Sequence, residues 1–342
     1  MLNSNEKKES NYSRGCILNQ YKNFTKLSIN EVLDPFEYIG GREFINSNEA
    51  NYLLPIDKIE LRRNELTHIL RRHVWKGNFS SPVEEILTNG GANVLDIGCG
   101  TGFWVLDLAY DFPNSTFVGI DILSNGFLPV NERPSNAGFI KHNLLEGIPF
   151  PDKTFDFVQM AAMWSSFTRQ QYFNIIKELV RVVKHNGWIE IHEPNMKWKN
   201  IGKSVAILQD AFHTKMKEKK FDPTIFLEIP KYLESNDELT NIEHKKTTCP
   251  IGGWGGLHGE YSLESAKTFY GSLTYLADNM GISQSDYQKL LDDLEEQLDV
   301  VRERERNEML RTASVDPISL AITREEMNRV DRNEQMNLNT IN

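Results

Sequence analysis

The amino-acid sequence predicts an α/β fold built on a doubly wound, mostly parallel β-sheet. Short apolar runs recur between residues 94 and 191, and the runs that begin at Val94 and Thr116 each end in an aspartate. Segments with helical periodicity separate several of these runs, as expected when crossover helices join parallel strands. A glycine-rich turn follows the first run directly, which places a candidate ligand site at the carboxyl edge of the sheet.

The turn after the first strand has a glycine at every second position, with Gly98, Gly100 and Gly102 following Asp96. Glycine has no Cβ and readily adopts positive φ, so this backbone can pass close to a bound ligand. The spacing argues against a dinucleotide fingerprint, because Phe103 stands where the last glycine of that motif is required. It also argues against a phosphate-binding P-loop, since the lysine of that motif is missing.

The next two predicted strands also end in polar residues. The run Thr116–Ile120 leads into Asp121, an acid about 20 residues past the loop, where a carboxylate can accept hydrogen bonds from two ribose hydroxyls. The run at 138–142 leads into Asn143 and Leu144. We therefore expect these side chains to gather beside the glycine turn, because the carboxyl ends of parallel strands share one edge of the sheet.

The pattern D-x-G-x-G-x-G over 96–102, together with the following acid and the run at 145–160, resembles the class I S-adenosylmethionine-dependent methyltransferases. The resemblance implies a seven-stranded, Rossmann-like sheet and S-adenosyl-L-methionine as cofactor. In that family the loop wraps the methionine part, and the residue at the position of Asn143, usually an acid, accepts from the adenine amino group. The implied cofactor-binding residues are Asp96, Gly98, Cys99, Gly100, Thr101, Gly102, Asp121, Ile122, Asn143, Leu144 and Met160.

Two flanking segments, 50–79 and 249–256, resemble fungal methyltransferases related to regulators of secondary metabolism. With both flanks, the resemblance implies a methyltransferase domain over 36–323, with a helical leader, a core at 82–195 and a helical substrate-lid insertion at about 196–240. The polar ends, 1–35 and 324–342, are rich in charged and amide residues, and we expect them to form disordered tails.

The amino-acid composition limits the classes of partner and the cellular compartment that we expect for this protein. The formal net charge of -10 opposes attraction to phosphate, so nucleic acid is not expected as a partner. No apolar stretch predicts a signal peptide or a membrane span, and the three cysteines have no metal-like spacing. We therefore expect a protein of the cytoplasm, or of the nucleus, without a structural metal.

Local patterns predict features of three helices. Arg62–Arg63 and Arg71–Arg72 accompany an apolar helical stripe, and we interpret both pairs as part of its solvated face. Ser81, followed by a proline, predicts an N-cap for the next helix. Thr168 and Gln171 have the spacing of a capping box at the start of an amphipathic helix.

Candidate catalytic residues follow from the chemistry of methyl transfer. The reaction is an in-line displacement, so a protein mainly aligns the acceptor with the methyl group. A hydroxyl or protonated amine acceptor would benefit from a general base. His192 and Glu193, at the end of the predicted fifth strand, are candidates for that base, and strand alternation predicts that at most one of them faces the cleft.

The function favoured by these observations is methyl transfer from S-adenosylmethionine to a small molecule or, less favoured, to a protein side chain. Two alternatives remain open. The resemblance to secondary-metabolism regulators allows a cofactor-binding regulatory protein that acts through a protein partner and has little catalysis. A nicotinamide-dependent oxidoreductase is disfavoured by Phe103.

Overall fold

The computed structural model describes residues 36–45, 52–199, 201–299 and 314–324. The predicted tails therefore lie outside the described residues, except that residue 324 is the last residue of a strand. The strands are β1 (Phe36–Ile39), β2 (Arg42–Ile45), β3 (Asn93–Ile97), β4 (Thr116–Asp121), β5 (Ala137–Lys141), β6 (Phe155–Ala161), β7 (Val183–Lys199), β8 (Leu239–Lys246), β9 (Cys249–Pro250) and β10 (Ser314–Arg324).

The central sheet has the order β5-β4-β3-β6-β7-β10-β8, and β9 pairs with β10 beside this path. The five strands from β5 to β7 are parallel to their neighbours, whereas β10 is antiparallel to β7, β8 and β9. The doubly wound, mostly parallel α/β fold is therefore confirmed. The sheet has eight strands rather than the seven expected, because the two-residue β9 adds a short pairing to the start of β10.

β10 accommodates a proline between two neighbouring strands, although proline cannot donate to a ladder. Pro317 lies opposite Pro194 of β7 in the pairing register. On the other side, pairing with β9 ends at Val315 and pairing with β8 begins at Ile318. The proline therefore falls at a gap between two partners on that side of β10, where the ladder requires no donor.

Nine α-helices surround the sheet within the described ranges: α1 (Lys58–Val74), α2 (Glu84–Asn89), α3 (Phe103–Asp111), α4 (Arg169–Val182), α5 (Lys203–Glu218), α6 (Ile229–Glu234), α7 (Gly256–Gly271), α8 (Leu276–Met280) and α9 (Gln284–Asp299). Side chains that alternate along the strands pack against helices on both faces. Val94 and Phe157 belong to a buried cluster with α2 and α3, whereas Leu95 and Val158 belong to a larger cluster with α4 and α5.

Helix starts follow the sequence prediction in one case and differ in another. Thr168 and Gln171 form the expected capping box at the start of α4. The predicted N-cap at Ser81 is wrong, because α2 begins at Glu84 after an uncapped Val83. The hydroxyl of Ser81 donates instead to the carboxylate of Glu190, 2.6 Å away, so it serves a long-range contact rather than a helix end.

Candidate active site

A cavity of about 390 Å³ lies at the carboxyl edge of the parallel strands, between the strand ends and helices α1 and α7. This volume falls in the range of small-molecule sites. Residues that follow β3, β4, β5 and β6 line one part of the cavity, and the end of β7 lines another. No residue of α5 or α6 lines it, so within the described chain only Met196 and Trp198 represent the predicted lid segment 196–240, and both belong to β7.

The glycines of the turn after β3 have different functions. All three have positive φ, and a Cβ added to Gly98 would come 2.2 Å from Sδ of Met163. A Cβ on Gly102 would come 2.3 Å from the ring of Phe139, so these two glycines permit close packing. A Cβ on Gly100 would meet nothing within 4 Å, and Gly100 lines the cavity. Gly100 therefore leaves its surroundings open for a ligand.

Asp121 links the end of β4 to the glycine turn. Its Oδ2 accepts a hydrogen bond from the backbone N–H of Gly100 at 2.8 Å, and its Oδ1 accepts one from Leu123 at 3.0 Å. Burial raises the pKa of Asp121, while these backbone donors oppose the shift. Asp121 and Ile122 both line the cavity. Because a carboxylate has about four acceptor positions, Asp121 retains capacity for further donors.

The remaining predicted cofactor residues divide between the cavity and the core. Asn143 and Leu144 line the cavity, and Oδ1 of Asn143 accepts from the N–H of Leu145 at 3.1 Å. Thr101 also lines it. Met160 is fully buried in the hydrophobic core instead, and the neighbouring cavity wall is formed by two residues that follow it, Ala161 and Ala162.

Cys99 lies in the cavity wall, but its surroundings do not activate it. Burial raises the pKa of the Cys99 thiol well above its ordinary value, and the carboxylates of Asp121 and Asp96 act in the same direction. A reactive cysteine requires the opposite, an environment that stabilises the thiolate. Cys99 therefore fits a packing residue of the loop rather than a nucleophile.

Asp96, the last polar residue of β3, faces an arginine from the N-terminal helix. Its carboxylate is 4% exposed and accepts from Nε2 of Gln159 at 3.3 Å. Burial raises the pKa of Asp96 to about 7, opposed by the positive charge of Arg71 and by the Gln159 hydrogen bond. Burial lowers the pKa of Arg71, opposed by Asp96 and Glu190. Both residues line the cavity, so this acid and this arginine border the same space.

The interpretation of the basic pairs on α1 as a solvated face is wrong for three of the four arginines. Arg63 pairs with Glu60 at 2.6 Å and Arg72 with Asp107 at 2.7 Å, while Arg71 borders the cavity. The helix buries acids as well as apolar residues, including Glu60 and Glu65, and leaves Ile59 54% exposed. Sequence periodicity located the apolar stripe but not these buried ion pairs.

The end of β7 places a histidine beside a buried carboxylate. Nε2 of His192 lies 2.5 Å from Oε1 of Glu190, which is fully buried. The same carboxylate accepts from the backbone N–H groups of Ser80 and Ser81, at distances between 2.8 and 3.0 Å. The charge of His192 and these donors outweigh burial and lower the pKa of Glu190. The ionised carboxylate of Glu190 can only accept, so Nε2 of His192 is the donor in this contact and Nδ1 is the other ring nitrogen.

Nδ1 of His192 is buried and has no hydrogen-bond partner among the described residues. The ring contacts Trp75 edge to face, with centroids 5.6 Å apart, and His192 borders the cavity. Sequence reasoning missed Glu190, although the spacing of two residues along a strand places it on the same face as His192.

Glu193 also borders the cavity, although alternation predicted that at most one of this pair would do so. Its oxygens are occupied by structural contacts. Oε1 accepts from the hydroxyl of Tyr172 at 2.6 Å and from the N–H of Met163 at 3.0 Å, and Oε2 accepts from the N–H of Trp164 at 3.3 Å. Burial raises the pKa of Glu193 to about 7 against these donors. Glu193 thus fixes the turn after β6.

Two further features of the described residues bear on function. None of their helices combines the length and apolar character that crossing a bilayer requires. They also contain no group of three or more histidine, cysteine, aspartate or glutamate side chains arranged to hold a metal ion.

The chain is similar to known methyltransferases. A family described as "methyltransferase domain" matches residues 94–187. The N-methyltransferase verN of Clonostachys rogersoniana is 28% identical over 137 residues, 39% of this chain and 48% of that protein. The secondary metabolism regulator laeA of Coprinopsis cinerea is 29% identical over 157 residues, 45% of this chain and 38% of that protein. The chain thus spans about half or less of the length of these relatives.

Among solved structures, phosphoethanolamine N-methyltransferase 2 of Haemonchus contortus, in complex with S-adenosyl-L-methionine, has a TM-score of 0.43 at 16% identity. The match covers 77% of this chain and 57% of the Haemonchus chain.

The residues at the carboxyl edge fit an S-adenosylmethionine cofactor. Gly100 leaves open space at the turn, Asp121 retains acceptor capacity, and Asp96 and Arg71 offer opposite charges to an amino-acid group, which carries both. The sheet order, the glycine turn and the matched domain agree with one another. The match over residues 94–187 and the similarity to fungal methyltransferases, including the secondary-metabolism regulator, support a class I S-adenosylmethionine-dependent methyltransferase related to that group.

Proposed function

We propose that this protein transfers a methyl group from S-adenosylmethionine to a hydroxyl of a small-molecule acceptor. The observation that carries the proposal is one continuous cavity, which joins the glycine turn to a histidine that has a free nitrogen and a carboxylate partner. The alternative of a regulator with little catalysis does not explain why a fixed imidazole borders that cavity.

The carboxyl edge of the sheet would hold the cofactor. Asp121 would accept from the ribose hydroxyls and Asn143 from the adenine amino group. Asp96 and Arg71 would bind the ammonium and carboxylate of the methionine end, since both charges border the same part of the cavity. When bound, the cofactor supplies an electrophilic methyl carbon on a sulfonium. The cover over this site comes from α1 and α7 in our proposal, rather than from the insertion at 196–240.

His192 would act as the general base. Nδ1 of His192 would take the proton of the acceptor hydroxyl, while the bound cofactor would supply the methyl group to the acceptor oxygen and keep the electron pair of the carbon–sulfur bond. Glu190 would stabilise the resulting imidazolium, because its carboxylate accepts the Nε2–H hydrogen bond. Glu193 is not assigned this role, since tyrosine and backbone donors already occupy its oxygens.

Cofactor binding can be tested by calorimetric titration. Asp121→Ala should weaken S-adenosylmethionine binding by about 1 to 3 kcal/mol, because charge-assisted hydrogen bonds are lost. Asp152→Ala, which removes an exposed acid remote from the cavity, is the matched control and should leave the affinity unchanged. Unchanged affinity in Asp121→Ala would remove the ribose assignment, and tight NAD binding without S-adenosylmethionine binding would overturn the whole proposal.

Acceptor class can be tested with methyl-labelled cofactor and a cell extract separated by size into small molecules and macromolecules. We expect label in the small-molecule fraction, and His192→Asn should abolish most of it. Label confined to macromolecules would indicate a protein acceptor. Absence of label from both fractions would favour a regulatory protein.

A further inference from the structure

The part of the cavity beyond the glycine turn is lined by aromatic side chains. We call this set the aromatic wall, and it consists of Tyr52, Trp75, Trp164, Phe167, Trp198 and Phe269. The wall combines residues from before α1, from the end of α1, from the segment after β6, from β7 and from α7. Flat apolar faces favour offset or edge-to-face contacts with other ring systems. The wall therefore fits a ligand with flat rings.

Ionisable side chains in this part of the cavity bond to other groups of the protein. Glu60 bonds to Arg63, whose guanidinium also lies 5.8 Å from the ring centroid of Phe269. His68 bonds to Asp107 at 3.0 Å. Because the charges of Glu60 and Arg63 compensate each other inside the protein, a charged acceptor would lose its hydration without gaining a partner. The wall therefore favours an uncharged acceptor.

One polar atom of the aromatic wall is buried without a partner. The indole N–H of Trp198 is buried in a side chain that is only 9% exposed, and it makes no hydrogen bond within the described part of the chain. An indole nitrogen can only donate, and a buried donor without an acceptor costs free energy. Trp198 lies on β7, the strand that also carries His192, and both border the cavity. A ligand oxygen beside the indole would satisfy this donor.

We propose that the acceptor is an uncharged, flat ring compound with two oxygens, one a hydroxyl that reaches His192 and one that accepts from the indole N–H of Trp198. This inference rests on the proposed function and specifies its substrate class. It explains why the wall combines aromatic faces, an internally paired acid and arginine, and a buried donor without a partner.

The test uses three related naphthalenes as probes, titrated into the protein saturated with S-adenosylhomocysteine. The first is a diol with one hydroxyl on each ring, the second is naphthol, and the third has a carboxylate in place of the second hydroxyl. We expect the diol to bind most tightly and the carboxylate at least about 10-fold more weakly, because its charge is buried without a partner.

Substitution of Trp198 by phenylalanine keeps an aromatic ring and removes the N–H. Trp198→Phe should weaken diol binding roughly 5- to 10-fold and leave naphthol binding unchanged, since naphthol has no second oxygen. Trp254→Phe is the matched control, because the N–H of Trp254 donates to the carbonyl of Ile251 and its side chain does not line the cavity. Unchanged affinity for S-adenosylhomocysteine and an unchanged circular dichroism spectrum would show that Trp198→Phe folds.

Three results would overturn the inference: equal binding of the diol and the carboxylate, an equal effect of Trp198→Phe on diol and naphthol, or no binding of any probe. If S-adenosylhomocysteine binds while the probes fail, only the substrate class is wrong. If S-adenosylhomocysteine itself fails to bind, the proposed function fails together with this inference.

Discussion

Glu190 and Glu193 lie three residues apart on β7, and both are almost fully buried, yet their pKa values shift in opposite directions. Glu190 faces an imidazole and several N–H and O–H donors, which outweigh burial. Glu193 has only neutral donors, so burial dominates. The difference teaches that burial alone does not decide the state of a carboxyl group. A titratable partner makes Glu190 suited to support a base, whereas Glu193 is suited to hold a turn.

The largest expected effect comes from the imidazole that separates the two acids. His192→Asn should lower kcat roughly 100- to 10,000-fold while cofactor affinity stays unchanged, because the acceptor proton loses its destination. His258→Asn is the control, since His258 does not line the cavity. Activity assays and calorimetry on both variants provide the measurement. If His192→Asn kept the full kcat, neither His192 nor its partner Glu190 would have the proposed role in the reaction.

The opposite pKa shifts predict opposite effects of pH on stability. The pKa of Glu193 rises from 4.5 to about 7 in the folded protein. The contribution of its protonated form to the unfolding free energy is therefore fully present below pH 4.5 and is lost as the pH rises through about 7. Glu193→Gln should remove a decline on the order of 3 kcal/mol from the unfolding free energy over that window. The decline in unfolding free energy that is due to Asp96, whose pKa is also about 7, should remain in this variant.

Urea denaturation at a series of pH values measures this decline. Glu190→Gln is the counterpart, because the lowered pKa of Glu190 means that its contribution is lost only as the pH falls below its ordinary value of 4.5. The decline above pH 4.5 should therefore persist in Glu190→Gln. Identical profiles of unfolding free energy against pH for the two variants would contradict the opposite pKa shifts of Glu190 and Glu193.

In the proposed reaction, Glu190 is a positioning residue for His192. Glu190→Gln should lower kcat by about 10- to 100-fold with little change in KM, because the imidazolium loses its carboxylate partner. The acidic limb of the pH–rate profile should move as well, which a purely structural role would not require. Ser81→Ala removes one hydrogen bond to Glu190 and keeps the carboxylate, so it should leave the profile in place.

The smallest expected effect concerns the hydroxyl that donates to Glu193. Tyr172→Phe should reduce the unfolding free energy by about 1 to 2 kcal/mol, because a buried carboxyl group loses a donor at 2.6 Å. Thermal unfolding together with an activity assay at saturating substrate checks this. A large loss of kcat at unchanged stability would instead assign Glu193 to the chemistry.

The sequence predicts the cofactor half of the site far better than the acceptor half. Gly100 and Asp121 lie at the ends of adjacent strands, so a contiguous motif and the parallel topology suffice to bring them together. Helical periodicity predicts that Arg71 lies on the solvated face of α1. It cannot show which charged residues of the helix will pack over the edge of a sheet that lies further along the chain. The sequence does not predict a site role for Trp198, because this residue reaches the cavity only through the length of β7, which the composition of the segment does not indicate.

The contact between α1 and α7 has a consequence for how the chain matures. One of these helices precedes the first parallel strand and the other follows β9, nearly 200 residues later, and they meet where Thr67 and Ser265 bring their hydroxyls to 3.4 Å. A nascent polypeptide that has not yet emerged as far as α7 already contains the residues proposed to bind the nucleoside, but it lacks one of the two helices that border the cavity. In the proposed function, the acceptor part of the cavity is therefore completed later in synthesis than the residues that bind the methyl donor.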